Sequence, residues 1–120
     1  MDKIIIIDDQ EDILNLARYC LKDAYEVLIA SNGRDGLELI RKEIPDLVLL
    51  DMHMPVVSGY DVVKKIKSEE KIKHITVVAI TASVSEANKE KMEEVGCDYY
   101  ISKPFDPEKL ESKIKEILAK

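Results

Sequence analysis

The chain has 120 residues, 46% of them hydrophobic and 35% charged, with a net charge of −6. That length suits one domain with a single core, and an acidic balance with no offsetting Lys/Arg run argues against a nucleic-acid surface, which needs a basic footprint. Two cysteines, Cys20 and Cys97, are too few for a disulfide framework and match no metal-ligand spacing, so both read as buried free thiols in a reducing cytoplasm.

The chain opens on Lys3–Ile7, an apolar run closed at once by Asp8-Asp9. The run is shorter than the roughly 7–15 apolar residues of a secretion signal or the roughly 20 of a membrane span, and it predicts a buried strand. A helical stretch follows, in which Ile13, Ala17, Cys20 and Leu21 share a face flanked by Leu14 and Leu16. Glu26–Ala30 is the second strand. Ser31-Asn32 announces a second helix, which carries Leu37, Leu39 and Ile40 and is ended by Pro45. Leu47–Leu50 is the third strand, and Val62, Val63 and Ile66 mark the helix after it. Thr76–Ile80 is the fourth strand, followed by a helix from Glu86 to Val95 with Gly96 as its stop. Tyr99–Ile101 is the fifth strand. Asp106-Pro107 supplies cap and first residue of a last helix that faces Leu110, Ile114, Ile117 and Leu118 inward.

The first, third and fourth strands are apolar on both faces, the pattern of parallel strands covered on both sides. Five strand-then-helix units imply an α/β fold, a parallel sheet with right-handed crossovers and helices on both faces. No repeat, low-complexity stretch or linker interrupts it, so residues 1–120 read as one domain. The abundance of Lys, Glu and Ile is shared by proteins of hot-growing sources and of low-GC genomes, and it decides neither.

In such sheets ligands bind outside the carboxyl ends of the strands. Those ends carry Asp8-Asp9, Asp51, Thr81 and, near the fifth, Lys103. One carboxylate at such a place is usually a helix cap or a solvated loop residue. Three converging anions repel one another and raise a pKa unless a cation sits among them. An all-oxygen set suits Mg²⁺, and with Lys103 it suits phosphoryl transfer to a carboxylate nucleophile. Asp51, at the end of a central strand, is the candidate nucleophile. Asp8 and Asp9 suit metal binding, Thr81 can donate its hydroxyl to a phosphoryl oxygen, and small Ala82 leaves the group room.

Asp8-Asp9, Asp51 with Met54-Pro55 and Gly59, Thr81-Ala82 and Lys103-Pro104-Phe105 together resemble the response-regulator receiver family over essentially the whole chain. The resemblance implies a flavodoxin-like sheet of order 2-1-3-4-5. It implies phosphotransfer from a histidine kinase to Asp51, with Mg²⁺ held by Asp9, Asp51 and the backbone carbonyl of His53, and Asp8 assisting. It matches the family's switch pair to Thr81 and Tyr100, with the face of helix 4, strand 5 and helix 5 as output. It also implies a cis peptide before Pro104, and a phosphorylated lifetime tuned at the positions of His53 and Ser83. Without it, Tyr99 and Tyr100 read as core aromatics and His53 as a solvent-facing loop residue.

Ile13, Leu14 and Phe105 lie near the mouth of the site and form a candidate docking patch for the kinase, with Asn15 and Arg18 at its rim. The expected protein is a cytoplasmic monomer, with dimerisation on phosphorylation left open, that serves an unidentified output or phosphotransfer partner without touching nucleic acid or membrane. Met1 just before the first strand favours a stand-alone protein. The alternative is a receiver cut from a longer transcription factor or hybrid kinase. An aspartyl-phosphate phosphatase is disfavoured, because it would want an acid where His53 stands.

Overall fold

A computed structural model describes residues 1–119. Five strands, β1 (Lys3–Ile7), β2 (Glu26–Ala30), β3 (Leu47–Asp51), β4 (Thr76–Thr81) and β5 (Tyr99–Ser102), alternate with five helices. These are α1 (Glu11–Leu21), α2 (Gly33–Glu43), α3 (Gly59–Ser68), α4 (Glu86–Val95) and α5 (Pro107–Leu118). All neighbouring strands pair in parallel, in the order β2-β1-β3-β4-β5, the arrangement the resemblance implies.

The two-residue period of a strand sorts its side chains onto two faces. Ile5, Ile7, Val48, Leu50, Val77 and Ala79 point toward α2, α3 and α4, where Ile40, Val62, Val63, Ile66 and Met92 cover them. Ile4, Ile6, Leu47, Leu49, Val78 and Ile80 point toward α1 and α5. β1, β3 and β4 are thereby buried on both faces, while the edge strands β2 and β5 stay half exposed.

The expected helix signals act locally. Asn32 accepts the Asp35 N–H at the start of α2, and Asp106 accepts the Glu108 N–H at the start of α5, with Pro107 beside it. Ser58 and Asp61 cap α3 reciprocally. Gly96 stops α4 at φ 109°, whereas α2 ends at Glu43, two residues before Pro45, with Ile44 between them left-handed at φ 45°. α4 is lightly seated, with Met92 its sole buried residue.

Two sequence expectations need correction. On α1 the inward face is Leu14, Ala17 and Leu21, spaced three and four residues apart, and Ile13 and Cys20 are half-buried at its margins. The cysteines are likewise half-buried, on opposite sides of the sheet. Burial, then the Asp98 charge, pushes the Cys97 thiol up to about 12, so it stays protonated and unreactive. Among the described residues no helix is long and apolar enough to cross a membrane.

Candidate phosphoacceptor and metal site

Parallel strands deliver all their carboxyl ends to one edge. Asp51 is the last residue of β3, and Asp8 follows the last residue of the adjacent β1. Together with Thr81, which ends β4, they are the buried polar or charged side chains among the described residues. Burying a charge is unfavourable unless it is compensated, so their convergence marks the site. Gly59 makes room for it: a Cβ there would collide with the Asp51 carbonyl and lie 2.5 Å from Met52 Cα. Only glycine lets the start of α3 approach the end of β3 this closely.

Lys103, from the β5–α5 loop, supplies the cation. Its Nζ lies 3.0 Å from Asp8 Oδ2 and 3.5 Å from Asp51 Oδ2. The Lys103–Pro104 peptide is cis. The remaining carboxylate oxygens take backbone donors, the Gln10 N–H to Asp8 Oδ1 at 2.8 Å and the His53 N–H to Asp51 Oδ1 at 3.1 Å. Asp9 stands exposed at the rim.

The balance at Asp51 favours the proton. Burial, the Asp8 charge and the Asp9 carboxyl raise its pKa to about 6, against the lowering effects of the His53 N–H and Lys103. One lysine thus leaves negative charge uncompensated. Asp8 Oδ2 is buried and has no hydrogen bond, because its lysine contact is an ion pair without hydrogen-bond alignment. Oxygens of Asp8, Asp9 and Asp51 lie within 4.8 Å of one another. An all-carboxylate set with a buried oxygen that takes no hydrogen bond fits a hard divalent cation such as Mg²⁺.

Thr81 is closed on its own loop. Its hydroxyl donates to the Ser83 carbonyl at 2.9 Å and accepts the Ser83 N–H at 3.1 Å. Asn88 Nδ2 reaches the same carbonyl from α4 at 3.3 Å. Ala82 and Ser83 are exposed beside the site. Tyr100 pairs in register with Ala79, two residues before Thr81 on the same face, and its ring is turned outward, 38% exposed. Tyr99 packs on the opposite face instead. His53 is exposed, as a loop residue should be, and meets the Tyr60 ring edge-on at 6.0 Å.

The docking patch is only partly a surface. Leu14 is 3% exposed and belongs to the core under α1, so it cannot meet a partner. Phe105 is half-buried against that core. Ile13 is half-buried, and Asn15 and Arg18 are exposed. Sequence reasoning also missed residues that touch the site or Tyr100. Gln10 Oε1 accepts from Lys103 Nζ at 3.1 Å, and Lys89 Nζ stands 5.6 Å from the centre of the Tyr100 ring. For Gln10 a signal existed, since glutamine is a poor residue for the helix-capping position it occupies.

Comparison with known proteins agrees with this geometry. The family model described as the response regulator receiver domain matches residues 4–115. The polar-differentiation response regulator DivK of Brucella anthropi is 35% identical over 116 residues, covering 96% of this chain and 94% of that protein. The chemotaxis protein CheY4 of Vibrio cholerae superposes with a TM-score of 0.93 at 30% identity, covering 98% of each chain. The response regulator DrrB of Thermotoga maritima, an OmpR/PhoB homologue, superposes at 0.89 with 31% identity, covering 99% of this chain and 53% of that one.

Proposed function

The chain belongs to the response regulator receiver family, and from that premise we propose that it accepts a phosphoryl group on Asp51 from a sensor histidine kinase. The observation that supports this most is the pair of buried carboxylates, Asp8 and Asp51, beside Lys103 at the ends of adjacent central strands.

With Oδ1 held by the His53 N–H, Asp51 Oδ2, the oxygen beside Lys103, is the nucleophile. Its bond to phosphorus forms as the bond from phosphorus to the donor imidazole breaks, the electron pair staying on the imidazole nitrogen. Lys103 shifts from the carboxylates to an oxygen of the incoming group. Thr81 gives up the Ser83 carbonyl and donates its hydroxyl to another. Asp8, Asp9, Asp51 and the backbone carbonyl of His53 would hold Mg²⁺, which neutralises phosphoryl charge when bound. Water later hydrolyses the acyl phosphate and regenerates the carboxylate, at a rate set by access past Ala82, His53 and Ser83.

Withdrawal of Thr81 from Ser83 opens space for Tyr100 to turn inward, changing the face of α4, β5 and α5 that an output or phosphotransfer protein reads. Residues 1–120 act as one receiver domain, catalysing only its own phosphorylation and dephosphorylation. We place it in the cytoplasm as a free-standing monomer acting through protein partners.

Incubation with acetyl phosphate and Mg²⁺ should add one base-labile phosphoryl group to Asp51. Asp51→Asn should stay unlabelled by intact-mass spectrometry; a full adduct on that variant would place the nucleophile elsewhere. Phosphotransfer profiling against the histidine kinases of the source organism would identify the donor.

A further inference from the structure

We infer that Gln10 is a positioning residue for Lys103, a neutral partner that competes with Asp8 and Asp51 for the ammonium and so eases its displacement from the carboxylates when metal and phosphoryl group enter. The inference rests on the phosphoacceptor reading above and adds to it a residue from the start of α1.

Two independent observations support it. First, Lys103 Nζ has three side-chain partners: Asp8 Oδ2 at 3.0 Å, Asp51 Oδ2 at 3.5 Å and Gln10 Oε1 at 3.1 Å. The first two draw it down onto the anions that a cation cofactor would need. Gln10 is the neutral acceptor at the mouth, and it is the partner that competes with neither metal nor phosphate. Second, Gln10 occupies the N-cap of α1 and makes no capping bond with its side chain. The other four helices each have a side chain that accepts a first-turn N–H: Asn32, Ser58, Ser85 and Asp106. α1 alone forgoes that bond, and the side chain that could have been a cap crosses to a residue 93 positions away. Serine, asparagine or aspartate would cap the helix better but are too short to reach Lys103.

If the contact is lost, the ammonium keeps Asp8 and Asp51 as its side-chain partners with no neutral acceptor competing for it, and an entering metal ion displaces it less readily. The two roles of position 10 then respond with opposite signs. Gln10→Ser restores a cap and should raise Tm by about 3 °C. The same variant should weaken Mg²⁺ binding about three- to tenfold, the span of one ordinary hydrogen bond, and slow labelling by acetyl phosphate to a similar degree.

The test is a double-variant cycle of Gln10→Ser with Lys103→Met, read by Mg²⁺ titration in NMR and by acetyl phosphate labelling. Positioning through the lysine requires that Gln10→Ser change Mg²⁺ affinity in the wild-type background and have no effect once Lys103 is methionine. Gln10→Asn, the shorter amide, should behave like Gln10→Ser. Unchanged Mg²⁺ affinity in Gln10→Ser, or an equal loss in both backgrounds, overturns the inference. Labelling of a residue other than Asp51 would instead overturn the phosphoacceptor reading, while the cycle on Mg²⁺ affinity still reports on Gln10.

Discussion

Lys89 of α4 holds the outward ring of Tyr100, its Nζ 5.6 Å from the ring centre. A cation over an aromatic face at an exposed position contributes about 0.5–1 kcal/mol. The contact belongs to the outward rotamer, so it opposes the inward turn proposed for the switch. Lys89→Gln should therefore favour the inward ring about two- to fivefold. In amide NMR, β5 and α4 resonances of unphosphorylated Lys89→Gln should lie part-way toward the positions beryllofluoride produces. Resonances at their wild-type positions would mean that Lys89 has no part in setting the resting state.

Asp51 makes stability depend on pH. Its folded pKa is raised to about 6 from an ordinary 3.8, chiefly by burial. The folded protein thus holds this proton more tightly than the unfolded chain, and ionising Asp51 works against folding. The cost is absent below about pH 4, grows from pH 4 to 6 and is complete above pH 6. Asp51→Asn removes it, and without metal should be more stable than wild type at pH 7.5 by an amount of order 2 kcal/mol. The two proteins should converge near pH 4 in denaturant unfolding. Mg²⁺ should narrow the gap at pH 7.5 by offsetting the carboxylate charge, and a gap independent of pH would show that burial of the ion is not its origin.

The loop that carries the site holds strain at Val56. The Val57 N–H bonds the Pro55 carbonyl at 2.8 Å around a Val56 φ of 67°, which makes a γ-turn of the rare, strained kind. A β-branched side chain fits this region poorly, and here it is fully exposed and gains no packing in return. Val56→Asn keeps the turn with a side chain that tolerates positive φ, and should stabilise the protein by about 0.5–1 kcal/mol. Val56→Pro cannot adopt the angle and should destabilise it. Thermal unfolding of both variants decides the point, and an unchanged Tm in Val56→Asn would show that the turn relaxes without cost.

What the sequence made legible was whatever short-range chemistry determines. Four buried isoleucines followed by Asp8 announce a central strand and its polar end, and Asn32 or Asp106 before a helical stretch announces a cap. The strand ends then locate Asp8, Asp51, Thr81 and Lys103 together, because a parallel sheet brings every carboxyl end to one edge. The side of α1 that faces inward was less legible: Ile13 and Leu14 are adjacent and equally apolar, and only packing against β1 and α5 puts Leu14 inside. Contacts such as Gln10 with Lys103 and Lys89 with Tyr100 join polar surface residues from distant segments, and no hydrophobic period records them.

The last prediction separates phosphate acceptance from signal transmission. In the resting molecule the Thr81 hydroxyl is satisfied by both backbone groups of Ser83, and Asn88 of α4 shares the Ser83 carbonyl. Moving Thr81 to a phosphoryl oxygen breaks this cluster, and so loosens the start of a helix whose sole buried residue is Met92. Tyr100 stands two register positions back on the neighbouring strand, and in the proposed switch its ring takes the vacated space. Thr81→Ala removes the mover but leaves Asp51, Lys103 and the acidic cluster in place. It should still be labelled by acetyl phosphate, more slowly by the contribution of one hydrogen bond to a charged group, about 1.5–3 kcal/mol at most. It should fail to carry the change outward. In wild type, amide shifts on adding beryllofluoride should spread from Asp51 through α4 and β5, whereas in Thr81→Ala they should stop at the β3–α3 and β4–α4 loops. The same distant shifts in the variant would show that the signal leaves Asp51 by another route, the nearest being His53 against the Tyr60 ring, over which Lys91 of α4 is held at 4.3 Å.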